Sequence, residues 1–408
     1  MTLANASGDL TEKKLHWGEW ILLPAICLGT VCFLAIATEV VARCLFPSSD
    51  SGLERCYVKN DPSGNAPVIP NSTCSERVPE SKFPIEYRYD SQGHRSDVEL
   101  GPKRPDTHRI VMMGSSLAMG LFIPREMTFA ALLPDQLSRQ TGQKVELYNE
   151  ATGGKFRGGP YPLPGSPAKF NDVLSAHPDM ILWIVTPADF ENASPESPTF
   201  AAPVSTPSAD STTPANLWTR LERGLSDGSV AAKLRNRWEQ TRASVVLKHL
   251  LLASQSQDQY VTSYLKNDFD AGFLKAEPSP QWQGLLQNFD GDAAAFEGQA
   301  KAAGVPLVAV LVPNRAQAAM ISMGHWPDGY DPYKLGNELR AMIESHGGTY
   351  IDILPEFRTI PDPEQHYFPV DGHPDADGHA MIARMLAKAL TNGSVPSLRS
   401  NSQTASAR

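Results

Sequence analysis

The chain has 408 residues, of which 41% are hydrophobic and 20% charged, with a formal net charge of −9. That is enough apolar material for one large or two modest globular domains. The acidic balance and the lack of a long basic run exclude nucleic acid as an expected partner.

From Trp20 to Phe46 the sequence is apolar, and its only charges are Glu39 and Arg43. About 20 apolar residues cross a bilayer as a helix. A cleavable signal peptide has a shorter apolar core, roughly 7–15 residues. The pattern predicts an uncleaved transmembrane signal-anchor over 20–46, behind a cytoplasmic tail over 1–19. Trp17 and Trp20 suit one membrane interface. Lys13 and Lys14 favour a cytoplasmic N-terminus, with Arg43 closing the far end. Cys27, Cys32 and Cys44 lie in or beside the span. Cys56 and Cys74 stand 18 positions apart in a stretch rich in Pro, Asn and Ser. Two cysteines closing a loop that lacks a core read as a disulfide, which needs an oxidising compartment. A zinc site would need more ligands than this stretch offers. The expected placement is a single-pass protein of the inner (cytoplasmic) membrane, with its bulk on the periplasmic or extracellular side. Residues 47–85 read as a stalk.

From 86 onward, short apolar runs alternate with helical patterns. Strands are predicted at 110–113, 145–148 and 180–185, with helices at 129–140 and 168–176. Pro134 interrupts the first helical pattern, which predicts a kink or a later start. Residues 192–216 are rich in Ser, Thr, Pro and Ala and read as a linker. Residues 217–270 read as an inserted helical subdomain, so that 192–280 holds linker and insertion together. The alternation then resumes: a helix at 292–303, a strand at 306–312, a helix at 333–345, a strand at 349–353 and a last helix at 375–390. Residues 392–408 are polar and read as a disordered tail. Such alternation predicts an α/β domain over 86–391, a three-layer parallel sheet with helices on both faces.

In an open parallel sheet, ligands bind beyond the carboxyl ends of the strands, so distant residues meet there. Four loops carry candidates. Gly114-Ser115-Ser116 and Gly120 follow the first strand. Ser116 would sit at a strand-to-helix junction near a helix dipole, a good place for a nucleophile; small residues there also suit a tight turn. Asn149 through Gly153-Gly154 follows the second strand. Thr186-Pro-Ala-Asp189 follows the third. The fourth loop holds Asp371-Gly-His373-Pro before the last helix, where a simple turn is the alternative. A serine needs a base, and the base needs an orienting group. His373 would take the proton from Ser116, and Asp371 would hold the imidazole. The backbone N–H groups of Ser116 and Gly154 are candidate oxyanion donors. No cofactor and no metal is expected.

The rival base His379 falls at the start of a helix, and His366 and His325 lack a similar carboxylate neighbour. Trp218, Trp238 and Trp282 read as packing residues rather than a sugar platform. Asp352 reads as structural, and Arg315 as a solvated cation more than an anion-binding one.

In order and spacing, these loops resemble the SGNH (GDSL-type) hydrolase family, over roughly 86–190 and 304–392. Gly114-Ser115-Ser116 with Gly120 is similar to the family's first block, whose aspartate position is Ser115 here. Asn149 with Gly154 is similar to the second. His177-Pro-Asp-Met-Ile-Leu-Trp183 is similar to the strand before the third, and Asp371 with His373 to the last. Tyr87-Arg-Tyr-Asp-Ser-Gln-Gly-His-Arg95 is similar to a lead-in of membrane-anchored bacterial members. The third block's asparagine, an oxyanion donor in the family, falls at Ala188; Asn192 is a weak substitute. The resemblance implies a Ser-His-Asp serine esterase or O-acyltransferase on acyl esters, acetyl esters above all. Its substrate would be an exported carbohydrate. Two alternatives stand beside it: a non-catalytic binding or assembly component of an envelope polysaccharide system, and a lipid esterase.

Overall fold

The computed structural model describes residues 17–45, 52–58, 68–78, 80–81, 84–95, 99–151, 167–191, 237, 241–268 and 270–399. The chain divides into two units, 1–48 with 216–247, and 49–215 with 248–408.

In the first unit, α1 (Trp17–Leu45) is apolar on every side, and its segment Pro24–Cys44 has a mean hydropathy of 2.2. Its 21 residues are long and apolar enough to cross a membrane. The carboxylate of Glu39 pairs with Arg43 and accepts hydrogen bonds from the backbone N–H groups of Arg242 and Ala243.

The second unit begins on ground expected to be a stalk, and where it is described that stretch is folded. Strands β1 (Thr73–Glu76) and β2 (Ile85–Arg88) pair antiparallel. Cys56 and Cys74 form the expected disulfide. Leu53, Cys56, Tyr57, Cys74, Ile85 and Tyr87 are buried in the main core.

The sheet proper follows. β3 (Thr107–Met113) leads into α2 (Ser116–Met119), then α3 (Phe129–Thr141), β4 (Lys144–Asn149), α4 (Pro167–Ser175), β5 (Met180–Val185) and α5 (Pro187–Glu191). Among the described insertion residues are α6 (Arg242–Ala253) and α7 (Gln257–Tyr264). After α8 (Pro280–Ala302) come β6 (Leu307–Leu311), α9 (Arg315–Met323), α10 (Lys334–Ser345), β7 (Thr349–Tyr350) and α11 (Ala376–Thr391). The strands lie in the order β4-β3-β5-β6-β7, all parallel. β5 and β6 are buried along their whole length, which is why they read as unbroken apolar runs. Helix α3 packs on α11, and α8 packs on α4 and α10. Right-handed crossovers put these two groups on opposite faces. The fold is therefore the three-layer α/β architecture expected.

Helix α3 keeps its predicted start at Phe129 rather than a later one, with Thr128 capping its first turn by accepting from the N–H of Ala131 at 3.2 Å, and it continues through Pro134. Other boundaries moved. Helix α8 starts twelve residues before the predicted 292, since Ser279 caps it and Pro280 occupies its first position. Strand β7 is only two residues long. Helix α9 was not anticipated; Asn314 starts it as a cap, accepting from the N–H of Gln317 at 2.9 Å. Trp282 packs against Phe190 and Phe273, as expected of a packing residue. Trp218, Trp238 and residues 400–408 lie outside the described residues, but 392–399, expected to be disordered, are folded, with Val395 and Leu398 buried in the core.

The order of the strands reverses between β3 and β5. From β3 the chain steps outward to β4, then returns past β3 to β5 and continues to β6 and β7. A crevice opens beyond the carboxyl ends of the two strands that flank such a reversal. The Ser116 loop follows one of these strands and the Ala188 loop the other.

The disulfide spans a sequence separation of 18 residues. Closing a loop of that length restricts the unfolded chain by about 3 kcal/mol. The variant Cys74→Ala is expected to lower the unfolding free energy by about that much, read from urea denaturation of the purified full chain.

Candidate active site

Backbone sterics place Ser116. Gly114 sits where a Cβ would strike the Cβ of Ala118 and the carbonyl of Ile184. Only glycine lets β3 turn so tightly against β5. Ser115 is the extended residue before α2, and Ser116 is the first residue of that helix. The expected strand-to-helix junction is present. α2 is a single turn, ended by Gly120 at φ +79°, because the chain must bend back to reach Thr128. The dipole behind Ser116 is thus that of one turn, but its N–H still lacks an intrahelical acceptor.

His373 arrives from the other end of the unit. Its Nε2 lies 2.8 Å from Ser116 Oγ, across 257 positions of sequence. Its Nδ1 bonds Asp371 Oδ1, and its backbone N–H donates to the same oxygen at 3.1 Å. The edge of the Phe122 ring packs on the imidazole at a centroid distance of 5.4 Å. The three residues named from the sequence therefore form one hydrogen-bonded series. A carboxylate on Nδ1 leaves Nε2 free to accept the serine proton.

Two buried arginines hold the loops that carry these side chains. Arg95 donates to the carbonyls of Met119, Gly120, Ile123 and Glu86, and stacks on Tyr87 at 4.2 Å. Tyr87 Oη in turn accepts from the N–H of Phe122 at 3.0 Å. Arg315 donates to the carbonyls of Glu364, Pro369 and Leu252, and stacks on Tyr260 at 4.0 Å. Arg315 is thus neither solvated nor turned toward a ligand; it is a buried brace, and burial lowers its pKa.

Asp189 is the third internal support. It is buried, and its Oδ2 accepts from the N–H of Thr186 at 2.7 Å. Burial pushes its carboxyl up to about 6, against the pull of hydrogen bonds from the Ser115 hydroxyl and from Thr186. It therefore ties the β5 loop to the residue before Ser116. The neighbouring Ala188 lines the crevice, and its side chain offers no donor.

The rival base is elsewhere. His379 is fully buried in α11, where its Nδ1 accepts from the N–H of Phe129 at 3.2 Å. That satisfies an orphan donor of the first turn of α3. Desolvation drives its pKa down to about 3, so it is a neutral core histidine. His325 is exposed. His366, Asp375 and Asp377 have ligand atoms within 4.8 Å of one another and could hold a metal. Asp375, however, already caps α11 through the N–H of Gly378 at 2.9 Å. Asp352 accepts from the N–H of Leu354 and from Arg340, a structural role as expected. Of the second block, Asn149 is buried and braces its loop through the Ala118 carbonyl and the Ala151 N–H. Gly154 and Asn192 lie outside the described residues.

The crevice has a volume of about 500 Å³. Ser116, His373 and Ala188 line it together with Tyr260, Tyr264 and Asn314. Sequence reading missed Arg95, Asp189 and Glu80, which acts on the Asp371 loop. Arg95 closes a run already noted as a lead-in; Glu80 carried no local signal at all.

No protein-family model matches the chain, and neither does any curated protein. Solved structures that it resembles are SGNH hydrolases and esterases. An acetyl-xylooligosaccharide esterase variant from Geobacillus stearmophilus is 11% identical at a TM-score of 0.36, covering 69% of this chain and 94% of its own. The psychrotrophic esterase EstA from Pseudoalteromonas, inhibited by monoethylphosphonate, is 10% identical at 0.32, covering 70% and 97%. A candidate SGNH hydrolase from Slackia heliotrinireducens is 13% identical at 0.31, covering 70% and 99%. At such TM-scores, what the site can do rests on its own residues.

Asp189 gives a signed pH dependence. Its carboxyl titrates near 6 when folded and near 3.8 when unfolded, so the folded state binds the proton more tightly. Its contribution to stability therefore falls as pH rises from about 4 to about 6. The variant Asp189→Asn is expected to gain on the wild type across that window by up to about 3 kcal/mol. Paired denaturant titrations at pH 4.5 and 7.5 read the difference; parallel curves would rule the effect out.

Proposed function

We propose that this chain is a serine ester hydrolase or O-acyltransferase. The observation that carries the reading is the contact between Ser116 Oγ and His373 Nε2 at 2.8 Å, with Asp371 behind the imidazole. His373 takes the hydroxyl proton as Ser116 attacks the ester carbonyl. The tetrahedral oxyanion draws on the N–H of Ser116 and, by the family pattern, that of Gly154. His373 then returns the proton to the departing alcohol, leaving an acyl-enzyme. Water completes hydrolysis; a sugar hydroxyl completes transfer.

An acetyl or other short acyl ester on an exported glycan is the substrate class we favour. The crevice is lined by hydroxyls and amides (Ser263, Tyr264, Asn267, Asn314) beside apolar residues (Leu117, Leu252, Val370), and the former are the groups that would bind sugar hydroxyls. Those polar groups support a carbohydrate. We place α1 across the cytoplasmic membrane, with the α/β unit on the periplasmic or extracellular side. The disulfide supports that side, since thiols in the cytosol stay reduced.

A non-catalytic binding role is favoured by one observation, Ala188. Loss of one oxyanion donor costs about 3–4 kcal/mol of transition-state stabilisation.

Full-length protein in detergent micelles, given p-nitrophenyl esters and a fluorophosphonate, separates the readings. Ser116→Ala is expected to abolish labelling and to lower kcat/KM by a factor of about 10⁴ or more. If wild type and variant are equally inert and neither is labelled, the binding role replaces catalysis. A periplasm-active reporter fused after residue 60 should be active; a silent fusion would overturn the placement.

A further inference from the structure

The turn that carries the Asp-His pair is closed on itself. The N–H of Phe368 donates to the carbonyl of His373 at 2.8 Å, and the N–H of Gly372 donates to the carbonyl of Phe368 at 2.9 Å. Gly372 adopts φ +84°, which lets the turn close. The N–H groups of Val370 and Asp371 lie at the tip of this turn. Both are taken by one carboxylate from far upstream. Glu80 Oε1 accepts from Val370 at 2.9 Å, and Oε2 accepts from Asp371 at 3.3 Å. The Glu80 side chain is only 6% exposed. On its other side His249, on α6, lies with Nδ1 3.1 Å from Oε1. A carboxylate only accepts, so that nitrogen carries the hydrogen.

We infer that Glu80 is a positioning residue, which fixes the peptide planes at 370 and 371 and so aims the Asp371 carboxylate at His373. The inference rests on the ester-cleaving reading of Ser116. Two charge-assisted bonds from one carboxylate to successive N–H groups set both the position and the tilt of that stretch of backbone. Asp371 grips both the ring and the backbone of His373, so its aim is the aim of the imidazole. Arg315 fixes the same turn one residue earlier, at the Pro369 carbonyl. Glu80 and Arg315 thus hold its N–H and C=O sides respectively.

A double-mutant cycle in full-length protein tests this, with p-nitrophenyl acetate turnover and fluorophosphonate labelling as readouts. Glu80→Ala is expected to lower kcat by about tenfold with KM within about twofold, since ground-state binding is untouched. In the Asp371→Ala background the same change should have no further effect, because Glu80 acts only through Asp371. An equal loss in both backgrounds, or no loss in the wild-type background, overturns the inference. Should Glu80→Ala fail to fold, Glu80→Gln enters the same cycle; it keeps one acceptor and should show a smaller but equally non-additive loss. A wild-type protein that neither turns over ester nor takes the phosphonate overturns the ester-cleaving reading instead. The contact is then followed by proton NMR of the His373 Nδ1 hydrogen. Glu80→Gln shifts or broadens that resonance if Glu80 aims Asp371, and an unchanged resonance refutes it.

Discussion

Everything proposed for this chain depends on a 2.8 Å contact between residues 257 positions apart. A single hydrogen bond of this kind adds only about 1 kcal/mol and cannot hold two loops together. The loops must already be in place when the side chains meet. Two buried guanidinium groups do that, one on each side. Among the described residues neither Arg95 nor Arg315 forms an ion pair; each is surrounded by backbone carbonyls and lies on a tyrosine ring. A planar fork with five donors suits this task, because it can bind several carbonyls at fixed angles while its flat face covers an aromatic ring. A lysine could supply the charge but not the directions.

The sheet contributes the second half of the constraint. Its strand order reverses beside β3, so the hydroxyl loop and the Ala188 loop diverge from adjacent strand ends. The close approach at Gly114 follows from that adjacency, and so does the reach of Asp189 back to Ser115. Ala188 thus stands, without a side-chain donor, on a loop that is otherwise braced.

Local patterns made much of this legible. Unbroken apolar runs gave β3, β5 and β6, and small residues after β3 pointed to Ser116. Asp371 and His373 share a turn, so their pairing was visible two positions apart. Long-range contacts were not legible. Arg315 looked like a solvated cation because nothing near it in sequence reveals four carbonyl and ring partners drawn from separate segments. His379 looked like a surface or capping group, yet it fills the junction of α3 and α11. The stretch before residue 85 has a linker's composition, and its few apolar residues enter the core only once the disulfide and β1–β2 pairing assemble them. The early turns of α8 were hidden by glycines at 284 and 291, which weaken a helical pattern without stopping a well-capped helix.

The strand ends on either side of the reversal have one more implication. The chain leaves the described sheet at Ala151 and again at Glu191, both beyond carboxyl termini of strands and so on the same rim as the hydroxyl. Whatever is joined at those two exits therefore starts beside the crevice rather than within the packed layers. In the proposed reaction the oxyanion donor Gly154 lies just beyond the first exit in sequence, and the weak substitute Asn192 just beyond the second. A change of length at either exit would therefore bear on the proposed chemistry as well as on access to it, while the hydroxyl, the imidazole and their two cationic clamps stand on backbone away from both.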